Sequence, residues 1–147
     1  MCSSDLQAKA EVTAKYQAKP KTNQKNAKYA AMVESVDDAM GRVQATLEEL
    51  DLNDHTVVIF TSDNGGLLGP TNNAPLRSGK GYAYEGGIRV PWIIKWPGVT
   101  TAGTVTDVPV TSVDIFPTIV KGAGLSLPTD REIDGVDLKP ILSGAGS

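Results

Sequence analysis

The stretch Val57-Val58-Ile59-Phe60-Thr61-Ser62-Asp63-Asn64-Gly65-Gly66 constrains this chain more than any other. Its continuous run of apolar β-formers is the pattern of a strand buried on both faces of a parallel sheet. The run stops at a hydroxyl, a carboxylate, an amide and two glycines. Open α/β sheets bind ligands beyond the carboxyl ends of their strands, and this is such an end. Asp63 and Asn64 offer hard oxygens suited to Ca²⁺ or Mg²⁺. A tight turn is the competing reading, because turns favour the same residues.

A long helix feeds the strand. Tyr29, Val33, Val36, Met40, Val43, Leu47 and Leu50 recur at steps of four and three, one stripe on a helix over residues 25–50. A helix leading into a buried strand is α/β grammar. Asp37 and Asp38 are adjacent on this helix and point about 100° apart, which suits solvation better than a shared metal. His55 precedes the strand and reads as a surface residue.

Downstream, Pro75-Leu76-Arg77-Ser78-Gly79-Lys80-Gly81 runs into Tyr84-Glu85-Gly86-Gly87-Ile88-Arg89-Val90-Pro91. Glycines let backbone approach an anion, and Lys80 supplies a mobile point charge. A solvated loop competes with a phosphate or sulfate site here. No Gly-x-x-x-x-Gly-Lys-Ser/Thr pattern is present, so the loop is not a Walker A motif. Residues 90–96 read as a second strand, with Pro91 near its start. Residues 113–120 read as a short helix with Pro117 in its first turn, stopped by Gly122-Ala123-Gly124.

Composition narrows the function. The chain has 147 residues, enough for one domain with a core, and a net charge of -3. Aromatic residues make up 5%, too few for base stacking on single-stranded nucleic acid. No apolar run approaches the roughly 18 residues of a membrane span. Residues 1–28 form a polar segment rich in lysine (Lys9, Lys15, Lys19, Lys21, Lys25, Lys28) and read as a solvated surface, with a weak helix at 8–17 broken by Pro20. Residues 1–6 are expected to be an assembly artefact, since Cys-Ser-Ser-Asp-Leu is the in-frame translation of a common sequencing-adapter end.

Four signals occur in order: Thr61-Ser62-Asp63-Asn64-Gly65, the Pro75–Gly81 run, the Tyr84–Pro91 run, and Asp114-Ile115-Phe116-Pro117-Thr118. With these, the stretch from Tyr29 to about Leu142 resembles the carboxyl-terminal part of the sulfatase catalytic domain, in the alkaline-phosphatase-like superfamily. The resemblance implies an α/β fold with a mixed, mostly parallel sheet flanked by helices. It gives Asp63 and Asn64 the role of ligands to a divalent cation, Ca²⁺ or Mg²⁺. It makes Lys80 a contact to the sulfate ester, with Arg77 in a supporting role, and it implies that Glu85 to Arg89 is structural, with Arg89 paired internally. It implies a sulfuric ester hydrolase acting on a sulfate ester or a sulfated glycan, outside the cytoplasm.

The family's nucleophile is a formylglycine made in a Cys/Ser-x-Pro/Ala-x-Arg motif. Cys2 is followed by Ser3-Ser4-Asp5-Leu6 and does not fit. The family's N-terminal aspartate pair, catalytic histidine and second lysine have no match either. Residues 29–147 are therefore expected to be the carboxyl-terminal portion of a catalytic domain whose N-terminal half is missing, inactive alone. The alternatives are a phosphonate or phosphodiester hydrolase of the same superfamily, and a non-catalytic remnant that binds sulfated glycans.

Overall fold

A computed structural model describes residues 6–144. The elements are α1 (Ala10–Gln17), α2 (Ala27–Glu49), β1 (Val58–Thr61), α3 (Glu85–Ile88), β2 (Trp92–Lys95), α4 (Ile115–Gly122) and α5 (Lys139–Leu142). A 3-10 turn, Ser112–Asp114, leads into α4. β1 and β2 pair in a two-stranded sheet. The chain divides into two compact units, one ending at Ile93 and the other beginning at Ile94, so the division falls inside β2. Of the expected artefact at residues 1–6, only Leu6 lies among the described residues, and it is buried.

In the first unit, the long helix forms where the apolar stripe places it. Asn26 caps it, its Oδ1 accepting from the Tyr29 amide at 3.0 Å. Its far end closes as a Schellman motif: Leu52 N donates to Leu47 O (2.9 Å) and Asp51 N to Glu48 O (3.1 Å). Asp51 adopts the left-handed conformation (φ 52) that glycine usually fills. α1 packs against α2, with Lys15 Nζ 2.7 Å from Glu34 Oε2. Hydrogen bonds from Lys15 and then Tyr16 hold the Glu34 carboxyl below its ordinary value.

The stripe itself points largely outward. Val33, Val36, Val43 and Leu50 are exposed, whereas Ala31 is fully buried. Among the described residues no element other than α1 packs extensively on α2. β1 departs from expectation. Its four residues are half-buried rather than buried on both faces. A sheet of two strands has too little material to cover either face.

The second unit is knotted by two buried polar side chains. Asp114 Oδ2 accepts from Thr111 N and Oδ1 from Val136 N, both at 2.8 Å. Thr118 Oγ1 accepts from Leu138 N at 2.9 Å and donates to Val136 O at 3.4 Å. These bonds fold residues 136–138 onto α4 and bury Leu138 and Pro117. The helix expected at 113–120 is thus a 3-10 turn followed by α4, with Pro117 in the first turn of the latter, where its missing N–H costs nothing.

Candidate functional site

β1 ends at Thr61 and delivers Ser62, Asp63 and Asn64 into a turn. Ser62 Oγ donates to Asn64 O at 3.0 Å and tightens it. The next two glycines tie this turn to the lysine loop through backbone. Gly65 N donates to Gly87 O at 2.9 Å, and Gly66 O accepts from Lys80 N at 3.0 Å. Gly86 N donates to Arg77 O at 2.8 Å, closing the loop on α3. The crossing is too close for side chains. A Cβ on Gly65 would run into the Gly86 carbonyl, and one on Gly86 into the carbonyls of Arg77 and Ser78.

Asn73 locks the crossing. Its Nδ2 donates to Gly66 O (2.8 Å) and Ser78 O (3.1 Å), while its Oδ1 accepts from Gly66 N (3.2 Å). One amide therefore spans both loops and has three partners. Asn73 belongs to none of the sequence motifs. A pair of adjacent asparagines between Pro70 and Pro75 was the available signal, and it names no partner. The short helix α3 was also not foreseen, because two of its four residues are glycine.

The expected site residues fall as follows. Asp63 is exposed, and Asn64 and Lys80 are half-buried. None of their side chains makes a hydrogen bond or ion pair among the described residues. The cross-tied backbone brings the Asp63-Asn64 turn and the Lys80 loop together while those polar groups stay unspent. Arg77 instead stacks over the Tyr84 ring, its guanidinium carbon 3.7 Å from the centroid, and both side chains are exposed. Arg89 pairs with Glu85 one helical turn away at 3.2 Å, exposed on both sides. His55, Asp37 and Asp38 are exposed.

The donor chemistry at Asp63 and Asn64 fits one side of a hard-cation site. A carboxylate and an amide carbonyl supply about two or three of the roughly six to eight oxygens that Ca²⁺ takes. Among the described residues no group of three or more His, Cys, Asp or Glu could hold a metal ion. No described helix is long and apolar enough to cross a membrane.

Comparison with known proteins places the chain in a class. The chain is similar to solved structures of the alkaline-phosphatase-like fold. They include Ps i-CgsB in complex with k-i-k-neocarrahexaose (TM-score 0.86, 35% identity, 96% of this chain and 31% of that one). BT4656 in complex with its substrate D-Glucosamine-2-N, 6-O-disulfate matches at TM-score 0.71 and 35% identity, over 97% of this chain and 26% of that one. The phosphonate monoester hydrolase SpPMH of Silicibacter pomeroyi matches at TM-score 0.70 and 34% identity, over 82% and 22%.

The Sulfatase family model matches residues 3–125, and the chain belongs to the sulfatase family. Among curated relatives, the steryl-sulfatase of Rattus norvegicus is 46% identical over 125 residues, 79% of this chain and 22% of that protein. A sulfatase of Formosa agariphila is 43% identical over 145 residues, 90% of this chain and 26% of that protein. The chain thus spans about a quarter of the length of these relatives.

Proposed function

We propose that these residues form the carboxyl-side wall of a sulfatase active site, and that the enzyme carrying them hydrolyses sulfate esters. The observation that carries this is the cross-tied pair of loops: Asp63, Asn64 and Lys80 sit on a backbone fixed by Asn73 and by glycine crossings, with their own polar groups free. Lys80 binds a sulfate oxygen as a point charge and stabilises charge that builds on the ester in the transition state. Asp63 and Asn64 would hold a divalent cation, Ca²⁺ or Mg²⁺; when bound, it supplies Lewis-acid polarisation of the sulfate. Arg77, held against Tyr84, flanks the lysine loop in a supporting role. The nucleophile, a formylglycine, lies outside these 147 residues.

The substrate class is a sulfate ester, either a small molecule or a sulfated glycan, handled outside the cytoplasm. The relative bound to a disulfated glucosamine supports the glycan case. The similarity to a phosphonate monoester hydrolase supports a second reading, in which the same wall serves phosphonate or phosphodiester hydrolysis.

The test is kinetic. The 147-residue chain with Ca²⁺ and p-nitrophenyl sulfate should show no turnover. The same residues joined to a formylglycine-bearing sulfatase segment should turn over, with Lys80→Ala lowering kcat/KM about 10²- to 10³-fold. A joined enzyme that prefers phenyl phosphonate esters, or is indifferent to Lys80→Ala, overturns the reading.

A further inference from the structure

The first unit holds a cavity of about 420 Å³, open to solvent and lined by Tyr16, Lys21, Lys25, Asn26 and Lys28 among others. No carboxylate lines it. Lys15 and Lys19 lie over the Tyr16 ring, at 5.5 and 4.6 Å, which adds positive charge at its margin. The nearby acid, Glu34, is already paired with Lys15. Lys21, Lys25 and Lys28 thus bring three positive charges to the lining of one solvent-open space that has no carboxylate in its lining, a setting that suits an anion.

This groove is fastened to the candidate site. Gln24 lies between Lys21 and Lys25. Its Nε2 donates to Asn72 O at 2.7 Å, and its Oε1 accepts from Thr71 Oγ1 at 2.8 Å and Asn72 N at 3.1 Å. The next residue, Asn73, is the one that locks Gly66 to Ser78. Gln24 therefore ties the lysine segment to residues 71 and 72, and the adjoining Asn73 holds the loop that carries Lys80 through Gly66 and Ser78.

We propose that Lys21, Lys25 and Lys28 form a second anion subsite, and that the substrate is a multiply sulfated saccharide bound at both places. One sulfate occupies the Lys80 site and another, on a neighbouring sugar, sits in the groove. Gln24 is the positioning residue that sets the distance between them. The inference rests on the sulfatase reading of Lys80 and deepens it. A nucleic acid fits less well, because the chain as a whole is acidic and the groove offers one aromatic ring, already covered by lysine ammonium groups.

The experiment is calorimetric titration of the 147-residue chain with a tetrasulfated carrageenan oligosaccharide. Its comparison arms use inorganic sulfate and a single-stranded DNA of equal charge. The triple variant Lys21→Gln, Lys25→Gln, Lys28→Gln should bind the oligosaccharide about tenfold or more weakly. A charge-matched control, Lys9→Gln, Arg42→Gln, Lys121→Gln, should bind as the unaltered chain does. Gln24→Ala should weaken the oligosaccharide but not inorganic sulfate, and Gln24→Glu should not rescue it. Equal loss in the control, equal or tighter binding of DNA, or no loss in the groove variant overturns the subsite. Lys80→Ala separates the two readings. If it abolishes binding while the groove variant has no effect, the subsite fails and the sulfatase reading stands. If the groove variant alone matters, the subsite stands and the role of Lys80 fails.

Discussion

The chain carries two polar constellations that read alike as text and differ as structure. In the first unit, Asp63, Asn64 and Lys80 leave their side chains unspent while backbone amides and Asn73 hold the loops. In the second, Asp114 and Thr118 spend theirs on backbone and are buried by doing so. A carboxylate with its acceptors filled by two amides is architecture. A carboxylate left open on a rigid turn is available for chemistry. The hydrogen-bond ledger of each side chain, more than its motif, separates the two roles.

Substitutions can break or sharpen that contrast. The largest effect is expected at the glycine crossing, where Gly86→Ala forces a Cβ into two carbonyls. About 3 kcal/mol or more of stability should be lost in urea unfolding; a change under 1 kcal/mol means the crossing is looser than its geometry. Next comes Asp114→Ala, which strands two amides and should cost about 2–4 kcal/mol. Asp63→Ala should stay within about 0.5 kcal/mol of the parent chain. Equal costs at the two aspartates would erase the distinction.

Asn73→Ala removes three hydrogen bonds from a half-buried crossing and should cost about 1–3 kcal/mol, with faster exchange of the Lys80 amide proton. Ser78 sits in the left-handed region (φ 63) between Arg77 and Gly79. Ser78→Gly should therefore raise stability by about 0.5–1 kcal/mol, read as a higher urea midpoint. The smallest effect is electrostatic. Glu34 has its folded-state pKa lowered by Lys15 and Tyr16, so its contribution is present above its ordinary 4.5 and fades as pH falls through the lower folded value. Glu34→Gln should flatten that acid limb in midpoint-against-pH measurements, lowering the midpoint slightly at neutral pH and leaving it unchanged in acid.

Much of this was legible in the residues. The stripe from Tyr29 to Leu50 located α2 to within a few residues, and Val57 to Thr61 located β1. The Arg89 pairing was also expected. Long-range side-chain bonds were not legible. Gln24 reaches across 47 and 48 positions to Thr71 and Asn72, and no local pattern encodes that. Arg77 was read for its charge, but stacking on Tyr84 depends on how the loop between them folds. The stripe on α2 located the helix but not its covering, because periodicity reports an apolar face without reporting what covers it.

The pairing of β1 with β2 has one more consequence. In a two-stranded sheet every strand is a border, and each border leaves a row of backbone donors and acceptors facing outward. Asp63 hangs from the last residues of one such border strand. The stiffness with which it is presented is then partly borrowed: any strand that adds alongside β1 also steadies the turn that carries the carboxylate.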